Sequence, residues 1–427
     1  SDIAQAASQA TGKKLVIWTN MTAEAQTKVL LKQFAEVSKE MDIETEMVTV
    51  AFADLYTKLA AAVQSGTAPD VIQTTDSGAA YMYGQNMITP LNDVIDAIGR
   101  DDFLPSFLSE VTVGGKNWGV PDWANHNSIW YRQDLFSQYN LSIPKTWAEL
   151  LTTAKALNID TNSDGRTDIY GMAVPMASVQ VAMQTYYEFL TASGIYIYDP
   201  ETGEYFFGKD KEKAAKVLDY MIELYKAASP PASTDWSWND YRNALVQGNV
   251  AMTQDFGGAI GIAIQNNPDI VKNLGSFEVP GPDGEAAAHF GGGYYFMAGN
   301  QGGDEKIALA KQFIEKLYTP ERAAERALSR PLFAFPSIVS AFEIYKKDSS
   351  VADFQEEVNG IWNAMQTEKW YRQGMESGLN ELSGQIEATT YFGEAIQSVA
   401  LGQWTSSQAV DYIDQNLREQ IETISKK

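Results

Sequence analysis

An α/β fold is predicted, and three observations predict it. Short apolar runs of strand length alternate with amphipathic segments of helix length. The helical segments carry recognisable start and stop signals. The chain has 427 residues, more than one hydrophobic core ordinarily organises, so two or three domains are expected.

The elements follow in order. Residues 13–18 (KKLVIW) form a short apolar run ending at Thr19-Asn20 and read as a buried first strand, with Trp18 in its core. A helix follows from about Thr22, with Leu30, Phe34, Val37 and Met41 at helical spacing. Residues 43–50 alternate apolar and polar like a strand, and a second helix covers about 54–64. Gly66-Thr67-Ala68-Pro69 breaks it before a third strand at 70–73. Strands alternating with helices imply βαβ units and a mainly parallel sheet.

The middle of the chain repeats this style less regularly. A strand at 128–131 follows Gly119-Val120-Pro121, and a helix starts at Thr146, where Thr146 and Glu149 have capping-box spacing. Val217, Leu218, Met221, Leu224 and Tyr225 mark one face of a helix over 211–228, stopped by Pro230-Pro231. Another helix over 304–318 aligns Ile307, Ala310, Phe313, Ile314 and Leu317. The last aligns Val410, Ile413, Leu417, Ile421 and Ile424, with Thr405 and Gln408 as a second capping box.

Charge and composition exclude several functions. The net charge of −23 would repel phosphate backbones and anionic membranes, so no nucleic-acid partner is expected. Cysteine is absent and His126 and His289 are the only histidines, which removes disulfides, thiolate chemistry and Cys-based zinc sites. No P-loop, Gly-x-Ser-x-Gly or His-Glu-x-x-His is present, and Gly257-Gly258-Ala259-Ile260-Gly261 lacks dinucleotide-binding spacing. An enzyme is therefore not expected. Aromatic residues make up 11% of the chain, enough for a well-filled core or for flat platforms under a sugar.

One motif carries chemistry. Asp160-Thr161-Asn162-Ser163-Asp164-Gly165-Arg166-Thr167-Asp168 matches the opening of a calcium loop, with oxygen side chains at its first, third, fifth and ninth positions. The Arg166 carbonyl can supply the seventh. The twelfth position is Gly171 rather than the usual Glu, and residues 169–174 look like a strand rather than a helix. Calcium in a structural role is one reading, and an Asx-rich turn without an ion is the other.

The ordered run of motifs resembles family 1 of the extracellular solute-binding proteins, the receptors of sugar ABC importers. It begins at Lys14-Leu15-Val16-Ile17-Trp18 and continues through Ala68-Pro69-Asp70-Val71-Ile72, Ile88-Thr89-Pro90-Leu91 and Gly119-Val120-Pro121. Trp130-Tyr131-Arg132-Gln133-Asp134-Leu135-Phe136 and Ile143-Pro144-Lys145-Thr146-Trp147 follow. Gln247-Gly248-Asn249-Val250-Ala251-Met252, Gly291-Gly292-Gly293, residues 310–321 and the stretch from Gly393 to Gln403 complete it.

The resemblance implies a two-lobed periplasmic-binding-protein fold with a ligand cleft between lobes joined by several hinge crossings. The lobes would be 1–123 plus 294–360 and 124–293 plus 361–427. It implies capture of a di- or oligosaccharide, closure by a hinge, and delivery to an ABC transporter permease by a monomer. A polyol, an acidic sugar or another small polar solute is the alternative ligand, and a glycoside-processing enzyme the more distant one. An extracytoplasmic location is implied, in the periplasm or lipid-anchored at the outer face of the membrane, with any signal peptide already removed.

Ligand positions carry over from the resemblance as follows. Asp76 and Ser77 follow the third strand, where the family often has an acidic residue on sugar hydroxyls. Asn125 stands where the maltose-binding type has an acidic residue, and Asn20 ends the first strand. Tyr294 follows Gly292 and Gly293, which would let backbone approach the ligand. Asp255 and Phe256 occupy a segment where the family commonly has Gly-x-Trp. Trp123, Trp236, Trp238, Trp370 and Arg372 lie in segments between motifs, where cleft loops belong.

Overall fold

The apolar runs form strands because each can be buried on a sheet. The computed structural model describes residues 2–8, 13–177 and 179–427. Among these the strands, in chain order, are β1 (Lys14–Thr19), β2 (Glu44–Thr49), β3 (Val71–Thr75), β4 (Thr112–Val113), β5 (Lys116–Asn117) and β6 (Val120–His126). They continue with β7 (Ser128–Arg132), β8 (Met252–Asp255), β9 (Leu274–Phe277), β10 (His289–Ala298), β11 (Phe335–Pro336) and β12 (Trp370–Tyr371).

The chain partitions into two compact units. The first is Ser1–Asn125, Gly292–Ala352 and Ser377–Gly384, and the second is His126–Gly291, Asp353–Glu376 and Gln385–Lys427. The early boundaries lie within two residues of the 123/124 and 293/294 positions read from the sequence. The later ones differ. Residues 353–360 belong to the second unit and 377–384 return to the first.

In the first unit the sheet order is β11-β6-β10-β3-β1-β2. β1 runs parallel to both neighbours, with Ile17 opposite Met47 on β2 and Val71 on β3. β10 is antiparallel to β3, and β11 is antiparallel to β6. The sheet is thus mixed, which corrects the mainly parallel expectation. β1, β2 and β3 are joined by helical crossovers, whereas β10 arrives from the second unit, so no crossover rule fixes its direction. The helix Glu24–Met41 buries Leu30, Phe34 and Val37 and stops where Asp42 turns left-handed at φ 53°. Trp18 is half-buried rather than core, because β1 alternates and Leu15 and Ile17 take the fully buried face.

In the second unit β8-β7-β9 form an antiparallel sheet, with Ile129 between Gln254 and Phe277. The helix Lys211–Ala228 buries Val217, Leu218, Met221 and Leu224 as the periodicity predicts. It packs against Trp147–Ala156 and Ser406–Ser425, and Trp147 stacks on Tyr220 at 4.6 Å. The Thr405–Gln408 box is reciprocated. The Thr146 box is half formed, because the Glu149 carboxylate accepts the Lys145 N–H at 2.6 Å instead.

The strand expected over 169–174 exists only as isolated bridges, Ile169 to Ile159, Tyr170 to Val250 and Ala173 to Thr253. Between them the Gly171 N–H donates to Asn158 Oδ1 at 3.0 Å, which removes it from any ladder. No helix among the described residues is long and apolar enough to cross a membrane.

Candidate functional site

The first unit brings several of the sequence candidates together where β6, β10 and β3 lie side by side. Asp76 opens the helix Asp76–Gly84 directly after β3, with Thr75 as its cap. Its carboxylate accepts the Ser77 N–H at 2.9 Å and the Gly293 N–H at 3.3 Å. At 1% exposure it fastens the helix start to β10. Ser77 is equally buried, its hydroxyl 3.2 Å from that of Thr75.

Gly293 is needed because a Cβ there would overlap the Trp123 carbonyl oxygen and the Phe107 ring. That close approach lets Trp123 stack on half-buried Tyr294, with centroids 4.6 Å apart and planes 19° from parallel. Trp123 Nε1 and Asn125 Oδ1 are buried without a hydrogen-bond partner. Gly292 is buried backbone beside them. Asn20 has its amide engaged at home: Nδ2 donates to Val50 O at 2.8 Å and Oδ1 accepts from Thr74.

The second unit carries a recess lined by Asn127, Gln184, Trp238, Tyr241, Gln254 and Phe256 among others. Trp238 is half-buried and donates its indole N–H to Gln184 Oε1 at 3.2 Å. Phe256 packs edge-on against Phe290 at 5.3 Å. Gln254 Nε2 is buried and has no partner. The recess thus offers an aromatic wall beside amide groups.

Asp255 is not a free ligand group. Its Oδ1 accepts from Tyr241 Oη at 2.9 Å and Arg242 Nε at 2.8 Å, and its Oδ2 accepts the Ala259 N–H at 2.9 Å. Buried at 1% exposure, it positions Tyr241 and the start of the helix Gly258–Asn266. Burial, with the Asp255 charge, pushes the Tyr241 phenol far above its ordinary value, so it remains a neutral donor.

The remaining aromatic candidates separate. Trp236 lines a different recess with Asp168, Tyr170, Asn243, Gln247 and Asn249. Trp370 is 1% exposed and its indole N–H donates to Met365 O at 2.9 Å, so it is a packed core residue. Its ring is held there because β12 pairs with the start of β10. Arg372 is paired with Glu387 and lies over the Phe290 ring at 5.6 Å.

Sequence reasoning missed Asn127, Gln184, Tyr241 and Gln254. The available signal was Gln254 itself, an amide inside a strand buried along its whole length.

The acidic loop is exposed, and its carboxylates cap its own backbone. Asp160 accepts from the N–H groups of Asn162, Asp164 and Gly165, and Asp164 from that of Arg166. Asn162 Oδ1 accepts the Asp164 N–H at 3.2 Å, and Asp168 accepts the Thr161 N–H and hydroxyl, each at 2.7 Å. Those bonds hold the Asp168 carboxyl below its ordinary value. The missing twelfth ligand has a steric cause, since a Cβ at Gly171 would overlap the Ala154 carbonyl at the end of the preceding helix.

A family profile described as bacterial extracellular solute-binding protein matches residues 18–324, well over half of the chain. The chain belongs to that family. This solute-binding protein is 27% identical over 316 residues to the ABC transporter periplasmic-binding protein YcjN of Escherichia coli, covering 72% of this chain and 69% of that one. The fold matches the sugar-binding protein MalE of Xanthomonas citri with a TM-score of 0.77 at 17% identity, covering 97% of this chain and 100% of the other. It also matches a solute-binding protein of Agrobacterium radiobacter in complex with ribitol, with a TM-score of 0.73 at 19% identity, covering 96% and 99%. The two-lobed α/β fold of these proteins is therefore the fold of this solute-binding protein, as the sequence led one to expect.

Proposed function

We propose that this solute-binding protein captures a di- or oligosaccharide and hands it to an ABC transporter permease without catalysis. The observation that carries the reading is the recess of the second unit, where Trp238 and Phe256 stand beside Asn127, Gln184 and the unpartnered amide of Gln254. A pyranose has apolar faces and hydroxylated edges, and this lining offers a partner for each. The family supports solute capture for transport, and the sugar-binding relative MalE supports the solute class.

A second reading is a polyol or another small polar solute, and a structural relative is described in complex with ribitol. A thermal-shift screen of disaccharides, oligosaccharides and polyols separates the two, since a ligand bound only by the folded state raises the melting temperature by mass action. A response confined to peptides or amines would overturn both.

Calcium is proposed as a structural ion of the loop at 160–168. The residue set Asp160, Asn162, Asp164 and Asp168, with the Arg166 carbonyl, supports it.

A further inference from the structure

The only two histidines of the chain, His126 and His289, come together in the second unit with ring centroids 5.2 Å apart. His126 ends β6 and His289 opens β10. Glu278 directly follows β9, and its Oε2 lies 2.7 Å from His126 Nε2 and 3.6 Å from His289 Nδ1. Glu188, on the helix Val179–Ala192, brings Oε1 to 3.6 Å from the same His289 nitrogen. Glu368 pairs with His289 Nε2 on the far side of the ring.

Among the described residues, His126, Glu278 and His289 are the one group of potential ligands whose donor atoms all lie within 4.8 Å of one another. The cluster is interior: the side chains of His126 and Glu188 are wholly buried, and that of His289 is 3% exposed. Three of its atoms, His126 Nδ1, His289 Nδ1 and Glu188 Oε1, are buried without a hydrogen-bond partner. Unpartnered buried polar atoms are costly and rare, and three in one cluster call for a missing partner.

We propose that His126, His289 and Glu278, with Glu188 beside His289, form a site for one divalent cation of the zinc class. Two imidazoles and a carboxylate, with water in the fourth position, suit a four-coordinate borderline ion better than calcium, which takes oxygen ligands alone. Glu188 is wholly buried and Glu278 partly so, and a divalent cation would offset their charge beside the two imidazoles.

The surrounding contacts match an outer shell. Glu188 Oε2 accepts from Asn127 Nδ2 and the Phe290 N–H, each at 3.1 Å, which fixes the carboxylate and links it to a residue lining the recess.

The test uses the full chain stripped of metal with a chelator. Calorimetric titration with zinc sulfate should show one equivalent bound at micromolar or tighter affinity, weakened about ten-fold or more in His126→Gln and in His289→Gln. Asp164→Asn, in the acidic loop, should bind zinc as the parent does. If the histidine variants fail to fold, the cobalt(II) complex of the unmodified chain decides the matter. An intense visible absorption of tetrahedral cobalt, lost on adding zinc, supports the site. Absence of stoichiometric zinc binding, an octahedral cobalt spectrum, or undiminished zinc binding in folded histidine variants would overturn it.

Discussion

Arg326 Nε donates to Asp122 Oδ1 at 2.6 Å, with both side chains wholly buried in the first unit. The pair heads a polar chain through the sheet. Asp122 also accepts from Gln73 Nε2, and Gln73 Oε1 accepts from Thr19 Oγ1 at 2.7 Å. The guanidinium donates further to Gln33 Oε1 and Leu317 O and lies over the rings of Phe296 and Tyr318. β1, β3, β6 and two helices are thus registered by one charge.

Removing one member of such a pair leaves the other buried and uncompensated. Asp122→Ala should lose about 3–5 kcal/mol of unfolding free energy. Denaturant titration checks this, and a loss below about 1 kcal/mol would mean that water reaches Arg326.

Glu376 supplies a pH-dependent test. Its carboxylate is buried and accepts from Tyr187 Oη, the Ile197 N–H and the Gly374 N–H. Burial pushes its pKa from 4.5 to about 7, against the pull of those donors. Because the folded value is the higher one, the contribution is fully present below about pH 4.5 and lost as pH rises through 7. Relative to Glu376→Gln, the parent should lose up to about 3 kcal/mol across that window. Parallel melting curves of the two proteins from pH 4.5 to 7 would contradict the shift.

The recess predicts a separation of binding from stability. Gln254→Met keeps the volume and removes a buried donor without a partner, so the unliganded melting temperature should not fall. Ligand affinity should drop by about 1–3 kcal/mol. Trp238→Ala should weaken binding as well, through the lost ring face. Isothermal titration with the ligand found in the screen measures both, and unchanged affinity would place the ligand elsewhere.

The acidic loop predicts an ion effect of modest size. Chelation should lower the melting temperature and calcium should restore it, with ligand affinity nearly unchanged. Indifference to both treatments would leave the loop as a stack of backbone-capping carboxylates, a role its hydrogen bonds already fill.

Much of the fold was legible because its signals are local. Leu30, Phe34 and Val37 announce their helix by spacing, and Thr405 with Gln408 announces the last one by capping. The direction of β10 was not legible, since it depends on where the chain has been rather than on its own residues. For the site, the glycine and tyrosine after β10's start were readable, and Gly293 and Tyr294 do meet Asp76 and Trp123. Asp255 shows no partner in the sequence, whereas the fold supplies Tyr241 and Arg242. Trp370 and Arg372 likewise have partners, Met365 and Glu387, that packing sets and spacing does not reveal. The histidine cluster was invisible, since nothing in the spacing of two residues so far apart predicts their meeting.

The interleaving of the two units has a consequence for the order in which the chain can fold during synthesis. The central strand of the first unit's sheet, β10, lies between β3 and β6. Until residue 298 has left the ribosome, those two strands lack the neighbour they share, and both present open edges. The unit is not complete until residues 377–384 follow. Nascent chains cut short before β10 should therefore be protease-sensitive in both units, since the second also awaits residues 353–376 and 385–427. The first unit has all its residues once Gly384 has emerged and the second only after residues 385–427, so native structure should appear late and in the first unit before the second.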